Sequence, residues 1–202
     1  LNWCDENIPA IVEMWYAGDH GGLGLAQLIF GDDNFSAKLP QTFYKSVDKI
    51  PAFDDYDVRN GKTYLYADSD NILYPFGHGL SYTSFKFSSL KVAKKSLKKD
   101  QEIEVSFKLT NTGEVEGAEI AQLYVHSKSK KAKRPVKELK RFEKVMLKPG
   151  ETKVVKLTLP VSELARWDND SSQWVVDAGK YNLMIGSSSE DIKLKSSVKI
   201  AK

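Results

Sequence analysis

The chain is short of most features that would announce a chemistry. One cysteine, Cys4, stands among 202 residues. That excludes an internal disulfide and leaves secreted, periplasmic and cytoplasmic locations all open. The three histidines, His20, His78 and His126, fall in separate segments, and nowhere do ligand-type residues take metal-binding spacing, so no metal is expected. A Ser/His/Asp hydrolase is excluded by the lack of a G-x-S-x-G elbow. No apolar run approaches the ~20 residues that cross a bilayer, so no membrane span is expected. Residues Leu1 to Asn7 carry neither the basic region nor the apolar core of a signal peptide, and no Met opens them. The natural N-terminus is therefore expected elsewhere. Net charge is only +3, too little to point to nucleic acid.

What is present is organised around one stretch, Tyr74-Pro75-Phe76-Gly77-His78-Gly79-Leu80-Ser81-Tyr82-Thr83. Pro75 fixes φ and removes a donor, while Gly77 and Gly79 permit positive φ, so the backbone is expected to turn sharply. Tyr74, Phe76, Tyr82 and Phe85 supply apolar rings that need burial. A rigid turn studded with aromatics suits a junction between two packed bodies.

Upstream of that turn the pattern reads as α/β. Residues 8–16 are nearly all apolar and too short for a helix, which predicts a strand covered on both faces. A glycine loop with Asp19 and His20 follows, then a helix from Leu23 to Phe30 stopped by Gly31. In open α/β sheets the loop after a strand faces the ligand crevice, which makes Asp19 and His20 candidate cleft residues beside the plainer reading of a solvated turn. Gly21-Gly22-Leu23-Gly24 offers free amides at a helix start, yet it lacks both the dinucleotide spacing and the lysine-serine of a P-loop. Residues 32–72 are polar and turn-rich, as expected of a functional segment or one draped over another surface. Asp54, Asp55 and Asp57 lack EF-hand spacing and read as a solvated loop.

Downstream the period becomes two. Ile103, Val105, Phe107 and Leu109 alternate with polar residues, and Asn111-Thr112-Gly113 ends that strand. Ile120 to Val125 predicts a second strand, Val155 to Leu159 a third and Tyr181 to Ile185 a fourth. Pro149-Gly150 and Ala178-Gly179-Lys180 punctuate them. Short strands at this spacing predict a β-sandwich of about 115 residues, large enough to fold alone. Lys128 to Arg141 is rich in lysine and arginine but has no interleaved aromatic for base stacking. It reads as a solvated loop and a strand edge guarded by lysine rather than a nucleic-acid site.

Three segments in order resemble family 3 glycoside hydrolases. Tyr74 to Thr83 resembles the family's Y-P-F-G-H-G-L-S-Y-T. Gly31-Asp32 through Lys38-Leu39-Pro40 is similar to its G-D-x-N-P-S-G-K-L-P, with Phe35 in place of Pro and Ala37 in place of Gly. Arg134-Pro135-Val136-Lys137-Glu138-Leu139 is similar to its R-P-x-K-E-L. The resemblance implies a mainly β chain: residues 1–85 as the C-terminal end of an α/β sandwich domain plus linker, and residues 86–202 as a fibronectin type III-like domain. Tyr44 to Asp48 and Asp54 to Tyr64 look most like the β-xylosidase members, although Lys62 stands where Arg is usual.

The resemblance also implies what the chain would lack. Retaining glycosidases need two carboxyl groups ~5–5.5 Å apart, one a nucleophile and one an acid/base. In the family the nucleophile is an Asp on a (β/α)8 barrel, and the acid/base Glu precedes the segment corresponding to Leu1. No catalytic residue is therefore expected here. Glu6, Glu13 and the acidic loop match neither motif, and no cofactor is implied. The implied partners are the barrel, the remainder of the α/β domain and, through the whole enzyme, a β-linked oligosaccharide. The parent would be a β-xylosidase, with a β-glucosidase as the alternative. A different class, a non-catalytic carbohydrate-binding or interaction module, would favour exposed aromatics. Trp167 and Trp174 are the candidates, though both read as buried core.

Overall fold

Residues 102–111 form the strand that their alternation predicts. In the computed structural model, which describes residues 1–201, strand β5 (Glu102–Asn111) buries Ile103, Val105, Phe107 and Leu109 and turns Glu102, Glu104 and Lys108 outward. It pairs antiparallel with β3 (Phe85–Val92) on one side and β8 (Thr152–Pro160) on the other. A second sheet faces this one, in the order β4 (Ser96–Leu97), β12 (Ile192–Ile200), β11 (Gly179–Gly186), β6 (Gly117–Ser127), β7 (Glu138–Leu147). Among the described residues only the short β4–β12 pairing is parallel. Leu123, Val125, Leu183 and Ile185 from this sheet meet Phe107, Leu109, Leu157 and Leu159 from the other in one continuous core. Each such side chain contributes about 1.5–3 kcal/mol by leaving water. The chain is thus mainly β and built on an Ig-like sandwich. Strand β7, in the lysine-rich region, lies at the sheet's edge as expected.

Asn111 closes β5 and is wholly buried without an unpaired amide atom. Its Nδ2 donates to the carbonyls of Val115 and Leu147, at 2.8 and 3.0 Å, while Oδ1 accepts from Gly113 N and Thr83 Oγ1. The Tyr181 hydroxyl likewise donates to the Asp177 carbonyl at 2.8 Å, pinning the entry to β11.

Upstream of the sandwich lie helices α1 (Asn2–Asn7), α2 (Gly21–Phe30) and α3 (Thr63–Tyr66), with a two-stranded ribbon of β1 (Phe43–Tyr44) and β2 (Ile72–Tyr74). Helix α2 ends where Gly31 takes a left-handed conformation, φ 81, as its sequence predicts. The strand expected at residues 8–16 does not form. That segment is irregular and exposed, and Trp15 sits at φ 50, which breaks extended backbone. A strand is defined by a partner's hydrogen bonds, and no described residue supplies them. Residues 32–72 remain largely irregular and drape over the sandwich itself: Val136 N donates to the Leu65 carbonyl at 2.8 Å. None of the described helices is long and apolar enough to cross a membrane.

Candidate functional site

The aromatic turn joins the two regions through a polar lock on strand β6. Along β6, Ala121, Leu123 and Val125 belong to the sandwich core, so Gln122 and Tyr124 point to the opposite face. Both are buried there by the turn. Gln122 Nε2 donates to the Ser187 carbonyl at 2.6 Å and to the Gly77 carbonyl at 3.3 Å, and the Tyr124 hydroxyl donates to Gln122 Oε1. Gly77 has the expected positive φ, 80, and a Cβ there would fall 2.3 Å from Gln122 Oε1. Gly79 differs from expectation. Its φ is not positive; what it needs is space, since a Cβ would meet the Ala37 carbonyl oxygen at 2.3 Å.

That close approach is where two of the three sequence segments meet. Leu39 N donates to the His78 carbonyl at 2.7 Å and Gly77 N returns a bond to the Leu39 carbonyl at 2.8 Å. Lys38 extends beside them, its Nζ 2.9 Å from the Gly79 carbonyl and 2.8 Å from Glu119 Oε1 on β6. Asn34 fastens the far end: its Oδ1 accepts from Ser81 Oγ and Tyr82 N, and its Nδ2 donates to the Glu116 carbonyl. Phe35, the departure from the family's proline, packs edge-on against Tyr82 with ring centroids 5.5 Å apart. Tyr82 in turn donates to the Leu28 carbonyl of α2 at 2.8 Å. His78 stacks on Tyr74, and its burial, helped by the nearby Lys38 ammonium, pulls the imidazole below its ordinary range while Asp191 opposes the shift.

The third segment arrives through Tyr64. Its ring stacks on Phe76 at 4.1 Å and meets Tyr124 edge-on, while its hydroxyl accepts from Leu139 N. Burial raises the Tyr64 phenol above its ordinary range, and that of Tyr124 further still. Lys137 reaches Glu190 at 2.6 Å, and the Pro135 carbonyl lies 2.8 Å from His126 Nδ1. The segments that sequence singled out are therefore one packed unit. Asn34 falls within the Gly31–Pro40 segment, but sequence reasoning missed Gln122 and Glu119; the available signal was a lone amide within the apolar run Ile120 to Val125.

Asp19 and His20 lie away from this lock, on the exposed loop that enters α2. His20 takes the N-cap position without a side-chain capping bond. Asp57 is occupied by Arg59, whose guanidinium bonds hold its carboxyl down to about 2, and Asp55 pairs with Asn60. Among the described residues no group of three potential ligands could hold a metal. Trp167 and Trp174 overturn the buried reading. They lie 50% and 71% exposed, opposite each other on a hairpin of β9 (Arg166–Asp168) and β10 (Gln173–Val175).

An Ig-like sandwich is thus locked by this turn to an upstream segment of short helices and a two-stranded ribbon. The chain belongs to glycoside hydrolase family 3. Residues 1–82 match the glycosyl hydrolase family 3 C-terminal domain, and residues 119–189 match the fibronectin type III-like domain. It is 37% identical over 200 residues to a periplasmic β-glucosidase of Salmonella typhimurium, covering 94% of this chain and 26% of that one. It is 38% identical over 194 residues to a putative β-xylosidase of Formosa agariphila, covering 96% and 25% respectively. The structure of a β-glucosidase from Erythrobacter marinus superposes with a TM-score of 0.85 at 34% identity, over 98% of this chain and 26% of that one. The chain spans about a quarter of the length of these relatives.

Proposed function

We propose that this chain is the non-catalytic C-terminal portion of a retaining, exo-acting β-glycosidase that removes β-linked xylosyl units from non-reducing ends. One observation carries the reading: the Lys38–Pro40 loop and the Gly77–Gly79 turn, both family segments, are hydrogen-bonded to each other and to β6. Relatives named β-glucosidase and β-xylosidase match equally well, and the Tyr44–Asp48 and Asp54–Tyr64 segments favour the xylosidase. The nucleophile and the acid/base belong to parts of the enzyme that this chain does not supply. We divide it into residues 1–85, completing the α/β sandwich domain, and residues 86–202, the fibronectin-like domain.

Trp3, Trp15, Tyr16, Phe30, Phe53 and Tyr56 are all exposed, which supports a covering partner for this region. The (β/α)8 barrel and the remainder of the α/β domain fit that role. Asp19 and His20, on the same side of the sequence as these rings, would line the substrate cleft. The test is hydrolysis of p-nitrophenyl β-xyloside and β-glucoside by the chain alone and with a separately expressed barrel portion. The expected result is silence alone, activity on recombination and preference for the xyloside. Hydrolysis by the chain alone would overturn the reading. In the complete enzyme, alanine at Asp19 and His20 should raise Km; unchanged Km and kcat would remove both from the cleft.

A further inference from the structure

Strand β11 sets one lysine against another. Lys180 lies directly opposite Lys199 of β12, and the alternate residues Tyr181, Val198 and Ile200 point into the core, so both lysines leave on the outer face. Residues so paired hold their Cβ atoms about 4.5–5.5 Å apart, and like charges there are destabilising. Lys128, one residue past β6, continues the row: its N donates to the Lys180 carbonyl at 3.0 Å. From the other side comes Lys95, whose carbonyl accepts from Lys199 N at 2.8 Å and whose Nζ lies 2.8 Å from Ser196 Oγ. All four lysines are exposed, and none makes an ion pair among the described residues.

No carboxylate on these strands balances the row. Strands β4, β11 and β12 contain no Asp or Glu, and the acids that flank β11 and β12 are engaged elsewhere: Asp177 by Arg166, Glu190 by Lys137 and Asp191 by Lys193. Protection of a sheet edge by lysine would account for Lys95 beside the edge strand β4. It does not account for Lys180, because β11 has a hydrogen-bonded strand on each side. Lys95, Lys180 and Lys199, with Ser197 and Val198, line an open depression of about 250 Å³ that no aromatic ring enters. Asn182 and Ser197, opposite each other two residues along the strands, add an amide and a hydroxyl to the same face.

We infer that Lys95, Lys180 and Lys199, flanked by Lys128 and Ser197, form a binding site for a compact oxyanion of the phosphate class carrying two or more charges. Such an anion supplies the counter-charge that these strands omit, and its oxygens accept charge-assisted hydrogen bonds from several ammonium groups at once. A neutral sugar would leave the opposed lysines uncompensated. Nucleic acid would bring charge but finds no ring to stack on in this depression. The site needs only the sandwich surface and does not rest on the activity proposed above.

The test is titration of the full chain with pyrophosphate, with chloride at matched ionic strength and with oligo-dT, read by the backbone amide resonances. Pyrophosphate should move the amides of residues 179–182 and 197–199 saturably, where chloride does not. Lys180→Gln and Lys199→Gln should each weaken binding by about tenfold. The pair Lys86→Gln and Lys108→Gln removes two exposed charges from the other sheet and should leave binding in place. Relieving the opposed lysines should also raise the melting temperature of Lys180→Gln in anion-free buffer, while pyrophosphate raises that of the parent chain. The proposal is overturned if chloride acts as well as pyrophosphate, if the Lys86 and Lys108 changes weaken binding equally, or if oligo-dT binds as tightly. Amide shifts that fall outside the row would overturn it too, a reading that needs no variant to fold.

Discussion

Lys38 and Glu119 meet in a nearly dry place. Their Nζ–Oε1 distance is 2.8 Å, and their side chains are only 11% and 9% exposed. The pair links the loop before Pro40 to strand β6, and Lys38 spends a second proton on the Gly79 carbonyl. A buried pair adds little over an apolar replacement, but breaking it strands a charge. Lys38→Met and Glu119→Gln should each cost about 3–5 kcal/mol, and the double variant should lie close to either single one. Urea midpoints of the four proteins measure this, and additive losses would show that the two groups are not coupled.

Gly77→Ala should destabilise by about 2–4 kcal/mol, combining left-handed strain with a clash against Gln122. Gly31→Ala provides the control: its φ is equally positive, but open space surrounds its Cβ. Only the strain remains, so a cost of about 1 kcal/mol is expected there. Equal losses from thermal melts at the two sites would remove the steric argument.

Replacing Gln122 by Leu keeps the volume and removes the lock. The Tyr124 hydroxyl then loses its acceptor, and the Ser187 and Gly77 carbonyls lose their donor. Unpaired buried groups cost about 1–3 kcal/mol each, so Gln122→Leu should be strongly destabilising. Combining it with Tyr124→Phe should recover part of the loss, as read by denaturant unfolding.

His78 makes stability depend on pH. Its folded pKa is depressed by burial, with Lys38 adding to the shift, so the unfolded chain binds the proton more readily. The contribution is complete above the unfolded value near 6.5 and is lost as pH falls through the lower folded value. Parent chain stability should therefore drop as pH falls below about 6.5. His78→Gln should flatten that segment of the curve, and an unchanged slope would assign it elsewhere.

The sandwich was legible because its strands are half-buried. Period two in residues 102–110 needs no knowledge of the partner strand. Strand β12 alternates as clearly, with Ile192, Leu194, Val198 and Ile200 against Lys193, Lys195 and Lys199, and could be read the same way. Strand β7 hides because Lys140, Arg141, Glu143 and Lys144 place charge on both faces at the sheet edge. Residues 8–16 mislead for the opposite reason: a uniform apolar run states that something covers it, not what does. Trp167 and Trp174 mislead in the same way, since indoles are ordinarily core residues and only the hairpin register shows them facing out. The lock around Gln122 depends on contacts between residues distant in sequence, such as Leu39 with His78, which no local pattern encodes.

Strand β6 carries one further consequence. Its two faces are buried by different parts of the chain, Leu123 and Val125 by the opposing sheet, Gln122 and Tyr124 by the turn upstream of Phe85. The point where the chain passes from one region to the next is therefore not a seam along which it can be cut. A protein beginning at residue 86 would lose only the first residue of β3 from the sandwich's strands and still open the outer face of the five-stranded sheet to water. Melting should accordingly be a single cooperative event that takes the turn, the Lys38 loop and the sandwich together.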